Sequence, residues 1–273
     1  MTDLLHLAAQ DVTFGPDAPY GFADALAGPG AGRALVTFDP ADHDLNLQLA
    51  LSLLSSLGPV IAVYPGEGCW SDLEVRTTAD PGRTHGVGEN RLHLDLVDRD
   101  RLPRYIALYC VRSDPAGGGA SALSDLRQAA EALGEEDRAL LQSPVFRYFA
   151  DKGVHGVGES LERFAVLPTL LDGTEPTRFT TKMLPHLETG ELVDADDPAP
   201  VTAAFSRLVE AAYASRSTVR LTPGQLLVFD QHRYAHGRMP LGEGQDQTPV
   251  GERRLLKQTY VAADHRGPVR GER

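Results

Sequence analysis

The sequence predicts a mainly β protein with flanking helices, arranged as a jelly roll within a single domain. Two observations carry that prediction. Short runs rich in β-branched and aromatic residues recur between Pro/Gly punctuation and crowd into the C-terminal half, and helical patterns interrupt these runs. A chain of 273 residues is also long enough to bury a substantial core.

The elements follow in order. Roughly the first 35 residues, including "FGPDAPYGFADALAGPGAG", read as an N-terminal extension of short helix plus loop. "DHDLNLQLALSLLSSLG" places leucines at 45, 49, 53, 54 and 57, an amphipathic helix ending at Gly58. "PVIAVYPG" reads as a buried strand. Residues 66–92 are polar and glycine-rich, a long loop leading into the run "RLHLDL". "RYIALYCV" (104–111) is another strand and "DPAGGGAS" a turn. "SDLRQAAEALGEEDRALLQS" gives two short helices broken at Gly134 and capped at Ser124 or Asp125. The stretch 145–195 holds β-like pieces, "VFRYFA", "RFAVLPTLL" and "TRFTTKML". A helix over 200–214, two strands around the Pro-Gly of "STVRLTPGQLLVFDQ", and a last strand "RRLLKQTYVAA" complete the chain, with 264–273 a frayed tail.

Composition narrows the function. A net charge of −12 disfavours nucleic acid as a partner, since phosphates call for basic patches. No apolar run nears the ~20 residues that span a bilayer, and "MTDLLHLAAQD" lacks the basic start and apolar core of a signal peptide. Cys69 and Cys110 are too few for a disulfide framework and sit in no CxxC, which makes the cytoplasm the default compartment. The expected partner is a small molecule, with no nucleic acid and no membrane; composition is silent on oligomeric state.

The chemistry starts at "LHLDL". In a strand His93 and Asp95 point to one face, with Leu92, Leu94 and Leu96 on the other. A carboxylate facing a core costs roughly 2–7 kcal/mol or more without a partner. Two histidines and one carboxylate form the facial triad suited to non-heme Fe(II), which leaves adjacent positions open. The dipeptide spacing carries little by itself: 9 histidines and 38 acidic residues in 273 supply about one such pair by chance, and the chain holds two. The other, His186 with Glu188, lies in a polar turn after a proline. "PGQLLVFDQHRYAHGRMPL" then offers His232 and His236 after a buried strand.

Gly224, Leu226, Leu227 and Asp230, followed by His236, Arg238 and Pro240, resemble the distal-histidine motif of the clavaminate synthase-like and taurine dioxygenase-like 2-oxoglutarate oxygenases. Gly118, Gly119 and Ser121 resemble that family's Gly-Gly-x-Thr, with serine keeping the oxygen. "GERRLLKQTYV" resembles its arginine segment, aligning Arg254, with Arg253 on the opposite face of the strand. The likeness covers most of 59–262.

The resemblance implies a double-stranded β-helix core and a single oxygenase domain. It implies Fe(II) held by His93, Asp95 and His236, with 2-oxoglutarate as co-substrate. Arg254 and Ser121 hold the far carboxylate of 2-oxoglutarate, and O₂ takes the remaining position. The implied reaction hydroxylates an unactivated C–H of a small polar substrate, an amino acid or natural-product intermediate, releasing succinate and CO₂. Asp95 favours oxygenation, because related halogenases carry a small residue there. The loop 66–92, Asp98 and the segment around Arg178 are expected to wall the substrate. His85, His155, His186 and His232 are read as structural or solvated, and Cys69-Trp70 as core. Two alternatives stand beside this reading: a cupin-like metal enzyme that does not use 2-oxoglutarate, and a non-catalytic binding protein on the same fold.

Overall fold

The computed structural model describes residues 4–11, 22–28, 32–62, 68–76, 84–97, 102–148, 165–170 and 178–262. In chain order the first strands are β1 (Leu5–Ala8), β2 (Arg33–Thr37), β3 (Val60–Ile61), β4 (Ser71–Glu74), β5 (Asn90–His93), β6 (Tyr105–Arg112) and β7 (Ser121–Asp125). Then come β8 (Phe146–Tyr148), β9 (Ala165–Leu167), β10 (Ser217–Val219), β11 (Gln225–Asp230), β12 (Tyr234–Arg238) and β13 (Leu255–Val261). The α-helices are α1 (Phe22–Ala27), α2 (His43–Ser55), α3 (Leu126–Glu131), α4 (Glu135–Gln142), α5 (Leu184–Glu188) and α6 (Ala199–Ala214). None of the helices described is long and apolar enough to cross a membrane.

A seven-stranded sheet runs β1-β2-β11-β6-β13-β3, with β4 also paired to β13, and a four-stranded sheet runs β10-β7-β12-β5. Side-chain alternation decides the layers. Ile106, Leu108, Cys110, Leu227 and Phe229 of the large sheet meet Leu123 and Tyr234 of the small one in a single buried cluster. The intervening Tyr105, Ala107, Tyr109, Leu226 and Val228 face outward, onto Phe22 and Leu26 of α1 and Ala50, Leu53 and Leu54 of α2. Ala122 and Ala235, on the outer face of the small sheet, pack with Leu126, Leu141, Phe205 and Leu208 of α3, α4 and α6. The result is a mainly β sandwich of jelly-roll type with helices on both outer faces. Strands β6 and β11 are buried on both faces, which is why they read as continuous apolar runs. Each fully buried Leu or Phe there contributes ~1.5–3 kcal/mol.

Several sequence expectations need correcting. The N-terminal segment supplies more than helix and loop: β2 pairs antiparallel with β11, and β1 parallel with β2, extending the large sheet. Both runs are short, four and five residues, and β2 is buried along most of its length without alternation. The two strands around the Pro-Gly turn are not hairpin partners, since β10 joins β7 while β11 joins β2 and β6. Gly224 (φ +84°) turns the chain from one sheet into the other. "TRFTTKML" makes one bridge, Thr180 to His93, then a 3-10 turn and α5. Of "PVIAVYPG", Val60–Ile61 forms a strand and 63–67 lie outside the described residues. The helix expected to end at Gly58 is α2, which stops at Ser55 with Ser56 as its C-cap; its N-terminus is capped by the Asp42 carboxylate, which accepts from the Leu45 N–H at 2.9 Å.

Candidate metal centre

Strands β5 and β12 are antiparallel neighbours and set His93 directly opposite His236, with ring centroids 4.4 Å apart. Residues in register share a face, so the two imidazoles stand side by side. His236 lies within β12, not in a loop after a strand. The register slips immediately beyond it, between His236 and Arg238. A Cβ on Gly237 would lie 2.6 Å from the Asn90 carbonyl oxygen, so the close approach at this bulge requires glycine.

Asp95 arrives differently from the alternation the sequence suggests. Strand β5 ends at His93, and the chain turns through 95–97. Leu96 sits at φ +60°, a left-handed conformation costing on the order of 1 kcal/mol for a residue with a side chain. Hydrogen bonds hold the turn from three sides. The Leu94 N–H donates to the Phe179 carbonyl (2.7 Å), the Asp95 N–H to Gln231 Oε1 (3.1 Å), and Arg178 to the Val97 carbonyl (3.0 Å). Leu92 and Leu94 therefore pack on the helix side of the small sheet, whereas Leu96 packs between the sheets. The turn swings the carboxylate in beside both rings. Oδ1 lies 3.2 Å from His93 Nε2, and Oδ2 lies 3.5 Å from His236 Nε2.

This donor set fits a divalent cation. The candidate ligand atoms of His93, Asp95 and His236 all lie within 4.8 Å of one another. His93 Nδ1 is 2.7 Å from the Arg91 carbonyl, and a carbonyl can only accept, so Nδ1 carries the proton. The His93 Nε2 lone pair is thereby left facing Asp95. Burial lowers the His236 pKa despite the pull of Asp95, favouring the unprotonated ring. Burial works to raise the Asp95 carboxyl, but His236 and His93 hold it well below the usual carboxylate range. The Asp95 Oδ2 also accepts from Gln258 Nε2 and from the Tyr260 hydroxyl, each at 2.9 Å.

The three residues line a cavity of about 300 Å³ together with Arg254, Ser121 and His85. The Arg254 side chain is buried and makes no hydrogen bond or ion pair with another described residue. Burial, reinforced by the neighbouring Arg238, brings its pKa down to about 10, which still leaves it charged at neutral pH. Gly119 (φ +69°) packs beneath it: a Cβ there would lie 3.0 Å from Arg254 Cδ and 2.6 Å from a Leu241 methyl. Ser121 opens β7, is buried, and with Arg254 also borders a smaller cavity of about 100 Å³. Arg253 is turned away, donating from Nε to the Thr248 carbonyl. Arg238 borders the main cavity too, but its guanidinium donates to the Thr84 and Gly88 carbonyls and so anchors the loop over the site.

The other sequence candidates fall elsewhere. Asp98 and His155 lie outside the described residues, as do 77–83 of the long loop. Arg178 braces the Val97 turn. His85 contributes to the cavity wall while its Nδ1 bonds the Glu74 carbonyl, so it is both structural and a wall residue. His186 pairs with Glu191 at the surface, and His232 is packed beside Asp230. Sequence reading passed over Gln231, Gln258 and Tyr260. For the last two a signal was present, because Leu256, Gln258 and Tyr260 alternate along β13, in step with Arg254 just before it, and all four border the cavity.

Residues 60–260 match the family described as Taurine catabolism dioxygenase TauD, TfdA family. The chain belongs to this family. Among curated proteins, it is 26% identical over 180 residues to clavaminate synthase 2 of Streptomyces clavuligerus, covering 66% of this chain and 51% of that one. It is 24% identical over 180 residues to the L-lysine 3-hydroxylase of Catenulispora acidiphila, covering 64% and 46%. The chain thus spans about half the length of the curated relatives it matches. The fold is shared with the non-heme iron oxygenase OrfP in complex with Fe and alpha-ketoglutaric acid, at TM-score 0.69 and 18% identity over 91% of this chain and 82% of that one. It is shared as well with asparagine oxygenase in complex with Fe(II), hydroxyasparagine and succinate, at TM-score 0.66 and 20% identity over 87% and 76%.

Proposed function

We propose that this TauD/TfdA-family protein is an Fe(II)- and 2-oxoglutarate-dependent oxygenase that hydroxylates a small, amine-bearing polar molecule, an amino acid or a natural-product intermediate derived from one. The observation that carries the reading is the buried grouping of His93, Asp95 and His236, with the His93 proton placed on Nδ1 so that Nε2 is free to ligate. The names of the curated relatives, a clavaminate synthase and a lysine hydroxylase, support the amine-bearing substrate class.

His93, Asp95 and His236 would hold the iron, and Arg254 with Ser121 would hold the 2-oxoglutarate carboxylate farthest from it. Bound iron and 2-oxoglutarate supply the oxidising chemistry, in which O₂ is spent on decarboxylation to succinate and on inserting one oxygen into a substrate C–H. What the chain contributes is placement. His93, Asp95 and His236, grouped together, would supply the two imidazoles and one carboxylate that suit a non-heme iron with positions left for other ligands. Arg254 presents a planar fork suited to pairing bidentately with a carboxylate, in a pocket where no described acceptor competes for it. Ser121 adds a hydroxyl donor on the same wall. Arg238 and the 84–88 loop close one side of the cavity and limit entry of water.

The test is an anaerobic titration of the protein with Fe(II) and 2-oxoglutarate, watching for the weak visible charge-transfer band of the chelate. A band in the wild type that is lost in His236→Ala is the expected result. Folded protein that binds iron yet gives no band would move the assignment to a cupin-like metal enzyme. Folded protein that binds no iron would refute the metal centre.

A further inference from the structure

Asp95 is held through both its main chain and its side chain. Its main-chain N–H is bonded to Gln231 Oε1, and Gln231 is itself fully buried, with its amide donating to the Pro103 carbonyl at 2.6 Å. Its side chain is held from β13. Gln258 Nε2 and the Tyr260 hydroxyl both donate to one oxygen, Oδ2, at 2.9 Å each. Among the described residues no such donor reaches Oδ1, which faces His93 Nε2 at 3.2 Å, while Oδ2 lies 3.5 Å from His236 Nε2. A carboxylate oxygen offers about two in-plane acceptor sites. Two donors at normal distance therefore occupy Oδ2 and leave the lone pairs of Oδ1 for a cation.

We propose that Gln258 and Tyr260 are a positioning pair that keeps Asp95 a one-oxygen ligand. The inference rests on the metal reading given above. Its consequence lies in the number of open positions. In an octahedral ion, two imidazoles and one carboxylate oxygen leave three positions, enough for a chelating 2-oxoglutarate and one further ligand. A carboxylate that chelates through both oxygens leaves two. Gln258 and Tyr260 thus protect a coordination position by occupying the oxygen that would otherwise take it. Arg254 immediately precedes β13 and borders the same cavity, so one segment of chain would set both the far end of 2-oxoglutarate and the coordination mode at the metal.

The experiment uses full-length protein loaded with Mn(II), whose exchangeable waters are counted by the broadening of its EPR lines in ¹⁷O-water. 2-Oxoglutarate affinity is measured on the same samples by displacement of those waters. The wild type is expected to show three exchangeable waters. Tyr260→Phe/Gln258→Leu is expected to show two and to bind 2-oxoglutarate at least about tenfold more weakly, since a coordinated oxygen worth one charge-assisted hydrogen bond must first be displaced. Three waters and unchanged affinity in the folded double variant would overturn the positioning role; a merely space-filling role predicts that same result. If the double variant does not fold, the near-isosteric Tyr260→Phe decides. A water count below three with weakened 2-oxoglutarate binding supports the proposal, and wild-type values overturn it. A wild type with two waters overturns the inference while leaving the metal centre standing. A wild type that takes up no Mn(II) overturns both.

Discussion

Arg254→Met keeps most of the side chain's length and removes its charge, so it separates a ligand-binding arginine from a structural one. Arg254 is 7% exposed, its side chain makes no hydrogen bond or ion pair with another described residue, and it lies close enough to Arg238 to be disfavoured by it. In the protein without ligand this charge is a burden. Removing it is expected to leave the melting temperature unchanged or to raise it, by about 1 kcal/mol of relieved repulsion and desolvation. With 2-oxoglutarate bound the sign reverses, because the far carboxylate would be left buried opposite no cation. Truncating one member of a buried, hydrogen-bonded charge pair costs about 2–5 kcal/mol, which weakens binding by roughly 30- to 5,000-fold. Arg254→Lys keeps the charge but loses the fork and should fall in between. The assays are calorimetric unfolding of the metal-free protein and anaerobic 2-oxoglutarate titration of the Fe(II) form. A 2-oxoglutarate affinity within about threefold of wild type, or a metal-free protein that melts several degrees lower, would refute the assignment of Arg254 to the co-substrate.

Other perturbations probe the rest of the site. Asp95→Ala and His236→Ala each remove one of three ligands and should reduce Fe(II) affinity by well over tenfold while leaving the far-UV circular dichroism intact; equilibrium dialysis checks it. Asp114 accepts from the Ala116, Gly118 and Gly242 N–H groups and from Gln245, tying the glycine turn beside Arg254 to the 241–245 loop. Asp114→Ala leaves buried donors unpaired and should destabilise by about 3 kcal/mol or more in denaturant unfolding. Burial works to raise the Asp114 pKa, but those hydrogen bonds lower it overall. Its contribution is therefore present above the unfolded value of about 4 and is lost as pH falls through the lower folded value. Asp114→Asn should accordingly flatten the acid side of the melting-temperature profile relative to wild type. Gly237→Ala would force a Cβ to 2.6 Å from the Asn90 carbonyl, spreading β5 from β12. Metal affinity and stability should fall together, and an alanine variant with wild-type metal affinity would show that the bulge does not set the His93–His236 distance.

Local chemistry made a large part of this protein legible in its sequence. Apolar runs buried on both faces, such as 105–111 and 226–229, announce central strands whatever surrounds them, and the leucine spacing announces α2. The residues grouped at the candidate centre, and Arg254 on its wall, were reached through residue type, spacing and family resemblance, with no knowledge of which strands pair. Tertiary structure decided what depends on partners far away in the chain. β2 exists because β11 offers it an edge, and β1 because β2 does, so their short runs carry little signal of their own. Asp95 faces the histidines through a left-handed turn at Leu96, held by Phe179, Gln231 and Arg178, and strand alternation does not deliver it there. The union of β5 with β12 converts a separation of 143 residues into a ring distance of 4.4 Å. Gln258 and Tyr260 acquire their bearing on Asp95 only once β13 crosses behind that turn. Periodicity and capping are written within a few residues, whereas register, buried hydrogen bonds and the sharing of one carboxylate between strands arise when the sheets close on each other.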